Sequence, residues 1–426
     1  MSTTAVLFIS LAILLFLNVP IAYALGLPAV ICMILEGLPL DMFPQLIYSS
    51  INKFLLLAIP FFVLSGSIME KAGISSRLID FANNCLGHVR GGLAIVCVLC
   101  SCFFAAISGS GAATVAALGG ILIPAMDKDG YGKAFPSALM AVAGAIGIII
   151  PPSVPLVVYG SISGVSVTKL FSGGMIPGIM MGLALIIASM IICSKNPNIV
   201  IHKKATAKER WTSFKEAFWG LLMPVIILGG IYGGIFTPTE AAVVACMYGF
   251  LVGVFIYRTI KPKDLVKTVT DAVVSSANIM MIIAGASLFA WFCTTSGISK
   301  AAQNLLLSVS GNKYMFLLIV NIILLIAGCF LEANAALYIF APIMIPVAIT
   351  LGYDPLALGV VMVVNMAIGL ATPPVGVDLY VACGISHITI KDITKAVLPL
   401  VGVSVISLLL ITYIPQLILF LPGQLK

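Results

Sequence analysis

The sequence predicts an all-α polytopic membrane protein built from two inverted repeats, each with a re-entrant helical hairpin and a broken transmembrane helix. Three observations predict it: a scarcity of charge, an internal duplication, and breaks at corresponding places in both halves. Of the 426 residues, 61% are hydrophobic and 9% are charged, whereas roughly 25% are charged in an average soluble domain. This composition excludes a soluble enzyme, a nucleic-acid-binding protein and a disordered regulator. At about 20 residues per crossing, the chain can supply on the order of ten to thirteen spans of the lipid bilayer.

The basic residues are concentrated in two short segments. Residues 195–216 and 258–267 together hold ten of the 22 Lys and Arg residues. We interpret these segments as cytoplasmic loops rather than as a nucleic-acid patch, because basic residues accumulate on the cytoplasmic side of membrane proteins. Two apolar stretches, 218–236 and 239–257, separate them. Two crossings return the chain to its starting side, so both loops can be cytoplasmic.

An internal duplication organises the chain. A shift of 222 residues aligns 124–177 with 346–399 without a gap, and 12 of the 54 aligned positions are identical, including GY, AIG and PP in register. Shared apolar composition does not easily produce these matches, so we infer a true repeat. The sequence therefore predicts N-terminal scaffold helices over 1–40, a first repeat over 41–194, a basic loop with connecting scaffold helices over 195–260, and a second repeat over 261–426.

Each repeat begins with a stretch that is too polar to cross the membrane easily. We expect interfacial helices over 41–53 and 262–276, each followed by an apolar span. Basic residues are concentrated in the second stretch, whereas the first has only Lys53. The two stretches are therefore expected on opposite faces of the membrane. Inverted repeats of this kind are typical of secondary transporters.

The first interruption in each repeat predicts a re-entrant hairpin. An apolar run over about 93–123 is broken at residues 108–111, SGSG, and a run over about 315–345 is broken at residues 332–334, EAN. Each arm has only about 13 to 16 apolar residues, which is short for a complete crossing. Irregular backbone at this depth is tolerated where it is buried or lines an aqueous cavity.

The second interruption predicts a broken helix in each repeat, over about 133–165 and about 355–386. The breaks lie at 151–153, PPS, and at 372–374, TPP. Consecutive prolines end a helix and leave carbonyl groups without partners. In one interpretation neighbouring helices satisfy these carbonyls. In the other, the carbonyls join hydroxyl and amide groups of the hairpin tip to coordinate a hard cation such as Na⁺, and half-helix N-termini face an anionic substrate.

These residues together resemble a known family. The ordered set SGSGAATVAALGGILIP, a following GY, IIPPSVP, LFSGGMIPG and, in the second half, ATPPVG resembles the large membrane subunit of tripartite ATP-independent periplasmic (TRAP) transporters. The resemblance covers nearly the whole chain. It implies the architecture of the elevator-type ion transporter superfamily, in which a domain of hairpins and broken helices slides against a scaffold.

The resemblance also implies site residues and about two Na⁺ ions as coupling ions. The two tips are not equivalent, since SGSGAAT carries hydroxyls where LEANAAL carries a carboxylate and an amide. The residues expected at the first ion site are Ser108, Gly109, Ser110, Thr114, Pro152 and Ser153. Those expected at the second ion site are Glu332, Asn334, Thr372, Pro374 and Gly376. The oxygens of the substrate are expected near Ser110, Ser153, Asn334 and Thr372.

The function implied by the resemblance is sodium-coupled import of an organic acid, of the sialic acid or C4-dicarboxylate class, across the bacterial inner membrane. A periplasmic substrate-binding (P) protein and a separate small membrane (Q) subunit are the implied partners, and no enzymatic activity is expected. The alternative is a stand-alone sodium- or proton-coupled carrier of the same superfamily. A channel or intramembrane enzyme is less consistent with the sequence, which shows no pore symmetry or catalytic constellation.

Three acidic residues have open roles. Glu332 lies at the centre of an apolar stretch, and we favour an ion-site role over a helix-cap contact because an unpaired charge there is costly. Asp378 follows the second break, where functional and capping roles are equally compatible with its position. Glu240 follows Thr237-Pro238-Thr239, a pattern typical of a helix N-terminus, and a capping role is favoured.

Overall fold

The computed structural model describes residues 2–425, apart from the side chain of Pro262, and within this range 81% of residues are helical and no strand occurs. Seven helical segments are long and apolar enough to cross a membrane, and they contain α4, α10, α11, α12, α13, α16 and α19. The predicted all-α membrane class is confirmed. The helices are α1 (Thr3–Phe16), α2 (Ile21–Leu35), α3 (Met42–Ile51), α4 (Ala58–Lys71), α5 (Ile74–Leu86), α6 (Gly92–Ser108), α7 (Gly111–Met126), α8 (Ala134–Ala145), α9 (Val154–Ser163), α10 (Val167–Ser194), α11 (Ala207–Tyr232), α12 (Pro238–Leu251), α13 (Pro262–Thr295), α14 (Ile298–Ser310), α15 (Lys313–Gly328), α16 (Ala333–Thr350), α17 (Pro355–Leu370), α18 (Val377–Ser386), α19 (Ile390–Tyr413) and α20 (Gln416–Leu419).

Helices α6 to α9 form the hairpin and broken helix of the first repeat, and α15 to α18 form those of the second. In each repeat the two hairpin arms pack on each other and on the broken helix. Helices α4, α12 and α13 form a separate wall, in which α4 packs on both α12 and α13. Small residues allow close approach in this wall, since a Cβ on Gly249 of α12 would lie 3.0 Å from Sδ of Met69 on α4.

The first hairpin has its base beside the basic loop. Nη2 of Arg90, just before α6, donates to the carbonyl of Asn196 at 3.1 Å. The amide of Val200 donates to the carbonyl of Asp129, just after α7, at 2.9 Å. Because residues 195–206 follow the C-terminus of α10, the first hairpin enters the bundle from that end of α10.

The second hairpin enters from the other end. Oη of Tyr413, at the end of α19, donates to the carbonyl of Tyr314, at the start of α15, at 3.2 Å. Slightly further along the chain, Ile418 packs near the N-terminal end of α10. Gly173 lies in this part of α10, and a Cβ on Gly173 would lie 3.2 Å from Cγ2 of Ile418. The hairpins therefore enter from opposite ends of α10, which is the inverted arrangement that the duplication predicts.

The second predicted interfacial stretch, 262–276, is not a separate helix in this structure. Helix α3 occupies most of 41–53, whereas 262–276 is the first part of the 34-residue helix α13. In the first repeat α3 is separate from α4, because Asn52 and Lys53 are not helical and a 3₁₀ turn at Phe54–Leu57 follows them. At 1.5 Å per residue the 34 residues of α13 extend about 51 Å, longer than the ~30 Å hydrocarbon core, so its basic first turns can lie in the interface while the rest crosses.

Candidate functional site

The tip of the first hairpin gathers three oxygen atoms. Helix α6 ends because Gly109 adopts a left-handed conformation, with φ +62°, and Ser110 then caps α7. Oγ of Ser108 lies 3.1 Å from Oγ1 of Thr114, which donates to the carbonyl of Ser110 at 2.8 Å. Both hydroxyl-bearing side chains are buried. We call Ser108 Oγ, Thr114 Oγ1 and the Ser110 carbonyl oxygen the tip cluster; oxygens of this kind suit a hard cation.

The first broken helix lies directly beside this tip. The amide of Val154 donates to the carbonyl of Gly109 at 3.4 Å. A Cβ on Gly109 would lie only 2.8 Å from the carbonyl oxygen of Pro152. Glycine is therefore required at position 109 both by its positive φ and by this close approach. The structure thus brings the Pro152 carbonyl to the hairpin tip, among the residues that the sequence assigns to the first ion site.

Ser153 has a different environment from the other residues of this set. Its side chain is fully buried, donates to the carbonyl of Ile148 and accepts from the amide of Leu156 at 3.3 Å as the N-cap of α9. Both bonds remain inside the broken helix. Among the described residues no hydrogen bond joins the Ser153 hydroxyl to the tip cluster.

At the second hairpin tip a carboxylate caps a helix. Glu332 accepts from the amides of Asn334 and Ala335 at 2.9 and 3.3 Å, and from Nδ2 of Asn334 at 2.7 Å. The helix-cap alternative therefore describes the contacts of Glu332 in this structure. Oδ1 of Asn334 is buried and has no hydrogen-bond partner among the described residues, so it remains available to a ligand.

The second break is joined to its hairpin through the backbone. The amide of Gly376, which has φ +52°, donates to the carbonyl of Cys329 at 3.3 Å. Oγ1 of Thr372, just after α17, donates to the carbonyl of Ile368 in the last turn of that helix at 2.6 Å. Pro374 is exposed. Among the described residues, no hydrogen bond connects the side chains of Glu332 or Asn334 to this break, so the second set is assembled less tightly than the first.

A cavity of about 460 Å³ lies between the two tips and the helices α4 and α13 of the wall. Of the four expected substrate residues, Ser110 and Asn334 line it, whereas Ser153 and Thr372 do not. The lining comprises Val63, Gly66, Ser67, Glu70, Phe104, Ser108, Gly109, Ser110, Ala112, Ala113, Ile148, Val154, Pro155, Ser275, Asn278, Ile279, Ile282, Glu332 and Asn334.

Four polar lining residues belong to the wall of α4, α12 and α13, and the sequence analysis did not identify them. Ser67 and Glu70 lie on α4, and Ser275 and Asn278 lie on α13. Each pair is spaced three residues apart, which places both members on one face of their helix. Polar pairs at this spacing in otherwise apolar helices are a signal that could have identified this side of the cavity.

The other two acids with open roles, Glu240 and Asp378, differ in this structure. Glu240 and Thr237 form a capping box on α12, with Oε2 of Glu240 accepting from the Thr237 amide at 2.8 Å. The capping role of Glu240 is confirmed. Asp378 does not cap α18, because Gly376 holds the cap position and neither carboxylate oxygen of Asp378 has a hydrogen-bond partner among the described residues. Its fully buried carboxylate lies against α7, since a Cβ on Gly111 would be 2.6 Å from Oδ2.

A solved structure has a similar fold. The Alcanivorax borkumensis YdaH transporter, whose structure is described as having an unusual topology, superimposes with a TM-score of 0.64 at 16% identity and covers 88% of this chain and 89% of its own. At this identity the similarity concerns the fold alone.

Sequence comparisons identify the family. Residues 8–417 match the model of the tripartite ATP-independent periplasmic transporter, DctM component. The C4-dicarboxylate TRAP transporter large permease protein DctM of Pseudomonas aeruginosa is 44% identical over 89% of this chain and 88% of its own length. The sialic acid TRAP transporter large permease protein SiaM of Vibrio cholerae is 37% identical over 96% of both chains. The isethionate TRAP transporter permease protein DctMQ of Oleidesulfovibrio alaskensis is 42% identical over 98% of this chain, which spans 66% of that longer protein. The chain therefore belongs to the tripartite ATP-independent periplasmic transporter family, as its large permease subunit in the inner membrane.

Proposed function

We propose that this subunit imports an organic acid in symport with Na⁺ and is not an enzyme. The tip cluster carries the proposal. Two buried hydroxyl oxygens and one carbonyl oxygen lie within hydrogen-bond distance of one another, next to the Pro152 carbonyl. These are neutral oxygens of the type that a hard monovalent cation prefers.

A second Na⁺ is proposed in the second repeat. Its ligands would come from Glu332, Asn334, Thr372, Pro374 and Gly376, at the tip and break that the Gly376–Cys329 backbone bond holds together. The free Oδ1 of Asn334 supports a ligand in this region. Because the two tips differ chemically, we expect the two ions to bind with different affinities.

The substrate is proposed to be an organic anion held between the tips. The relatives are named for isethionate, C4-dicarboxylates and sialic acid, and all three are small organic acids. The family implies a small membrane subunit and a periplasmic binding protein as partners. We propose that this binding protein delivers the substrate, and that the hairpins and broken helices then move as one body, elevator fashion, against the wall of α4, α12 and α13.

Reconstitution tests the proposal. Proteoliposomes containing this chain with its small membrane subunit are supplied with the binding protein, a radiolabelled organic acid and an inward Na⁺ gradient. Uptake that requires the gradient and both partners is expected. Uptake that is equal in Na⁺ and choline media would refute sodium coupling, and uptake that survives removal of both partners would favour the stand-alone carrier.

A further inference from the structure

We propose that a pocket at the start of α11 binds the headgroup of an anionic phospholipid from the cytoplasmic leaflet of the membrane. The pocket has a volume of about 500 Å³. Phe81 of α5 forms one side of it, and residues between 204 and 214, in the basic segment, form the other. None of its lining residues lines the cavity between the hairpin tips, so this inference is independent of the proposed function.

The polar side chains of the pocket are basic. Lys204 and Arg210 line it, and none of its lining residues in the described part of the chain is acidic. Nζ of Lys215 lies 5.5 Å from the centre of the ring of Trp211, which is another lining residue. A third positive charge therefore adjoins the pocket, and the pocket attracts an anion.

The acidic residues of this region lie outside the pocket. Glu209 accepts from the amide and the hydroxyl of Thr206 at 2.7 and 2.8 Å, in the capping box of α11. Together with Glu216 and Asp80, Glu209 lines a neighbouring groove. The three basic residues of the pocket form no ion pair with a carboxylate within residues 2–425. Their charge is therefore left for a ligand to balance.

Arg210 supplies an independent sign of a ligand. Its Nε donates to the carbonyl of Asn84 at 3.2 Å, which holds the guanidinium group against the C-terminal part of α5. Its Nη2 is buried and has no hydrogen-bond partner among the described residues. A buried donor without an acceptor is costly, and arginine forms strong charge-assisted hydrogen bonds with phosphate oxygens. A phosphate group in the pocket would therefore supply the acceptor that the chain does not.

The aromatic residues of the pocket favour a lipid over a soluble anion. Trp211 is 58% exposed and stacks on Phe214 with ring centroids 5.5 Å apart, and Phe218 continues this row along α11 at 5.9 Å from Phe214. The 26 residues of α11 extend roughly 39 Å, longer than the ~30 Å hydrocarbon core, so its first turns can lie in the membrane interface. Tryptophan is enriched at this level, and basic pockets at the cytoplasmic ends of membrane helices bind anionic headgroups. A phospholipid can thus place its phosphate in the pocket and an acyl chain along the aromatic row.

Short-chain lipids test this site in the complex with the small membrane subunit. The delipidated complex in a nonionic detergent is titrated with dioctanoyl phosphatidylglycerol, dioctanoyl phosphatidylcholine or glycerophosphoglycerol, and its melting temperature is followed. These probes are an anionic lipid, a zwitterionic lipid and the anionic headgroup without acyl chains. The variant is Lys204→Gln, and Lys203→Gln is the matched control, because both lysines are exposed and only Lys204 lines the pocket.

The wild-type complex is expected to bind phosphatidylglycerol about tenfold more tightly than phosphatidylcholine, because the basic residues repel the choline ammonium group. Lys204→Gln should weaken the binding of phosphatidylglycerol about fivefold, which corresponds to about 1 kcal/mol for one basic residue near a membrane surface. Lys203→Gln should retain the binding of the wild type. Equal binding of the two lipids, equal effects of the two substitutions, or binding of none of the probes would overturn the inference. Binding of glycerophosphoglycerol as tight as that of phosphatidylglycerol would also overturn it, and would indicate a soluble phosphate ester as the ligand.

Discussion

Replacing Thr114 by valine removes one oxygen of the tip cluster and changes the shape of the side chain little. Thr114 is fully buried. Its Oγ1 lies 2.8 Å from the Ser110 carbonyl and 3.1 Å from Ser108 Oγ. The variant therefore loses two contacts inside the hairpin and, on the proposed function, one ligand of the first Na⁺.

These two losses have different expected sizes. A neutral hydrogen bond contributes about 1 kcal/mol, so the hairpin should be destabilised by roughly 1–2 kcal/mol and the subunit should still fold. An oxygen that contacts a charged group contributes about 1.5–3 kcal/mol. At 1.4 kcal/mol per factor of ten, the Na⁺ concentration for half-maximal uptake should rise by roughly 10- to 100-fold.

The assay is initial uptake in proteoliposomes as a function of Na⁺, with the amount of folded subunit measured by gel filtration in detergent. Thr114→Ser is the matched control, because it keeps the hydroxyl and removes only the methyl group. The Na⁺ dependence of Thr114→Ser should remain near that of the wild type. The assignment fails if Thr114→Val has the Na⁺ dependence of the wild type, or if both variants shift it equally.

Three further predictions concern packing and burial. Gly369→Ala should strongly reduce the yield of folded subunit in gel filtration, because its Cβ would lie 2.5 Å from the backbone of Gly328. The control Gly402→Ala, whose Cβ would meet no atom within 4 Å, should give the yield of the wild type in the same assay. Asn365→Leu should cost about 1–3 kcal/mol, because its buried amide donates at 2.8 Å to Oδ1 of Asn321, which would keep only the longer 3.4 Å contact from Oγ1 of Thr412. A melting temperature equal to that of the wild type would contradict this. Asp378→Asn should leave the melting temperature unchanged or raise it, because a buried carboxylate without a partner among the described residues is costly. A marked fall in the melting temperature would contradict this and would indicate a stabilising partner for the carboxylate.

The positions of the breaks could be predicted from the sequence because they depend on local chemistry. Gly109 permits a positive φ, and each proline pair lies in the non-helical segment between the two halves of its broken helix. Ser110 and Ser153 cap the helices that follow. None of these effects requires a distant partner. The hairpins and broken helices could therefore be located from residue type and spacing. The duplication supported these locations because corresponding breaks occur in both repeats.

The walls of the cavity could not be predicted in the same way. The polarity of 262–276 suggested a separate interfacial helix, but this segment continues without a break into the rest of α13. Ser275 and Asn278 consequently line the cavity, although Ser275 falls in the stretch that we expected at the membrane interface. Which helix lies opposite a hairpin tip depends on tertiary packing, and the close approach at Gly66 is visible only once the helices are assembled.

The environment of Asp378 could not be predicted from the neighbouring sequence. Its position just after a helix break is compatible with capping, yet the side chain is fully buried and lies against the first turn of α7. Two helix N-termini, those of α7 and α18, are close to it, and each can stabilise a carboxylate by at most about 2 kcal/mol. For an ionised carboxylate with no partner among the described residues, burial costs several kcal/mol, so the dipoles would offset only part of that cost. The contacts in this structure therefore give an ionised Asp378 no net stabilising role. The free-energy cost comes from burial of the side chain, which residue type and spacing do not reveal.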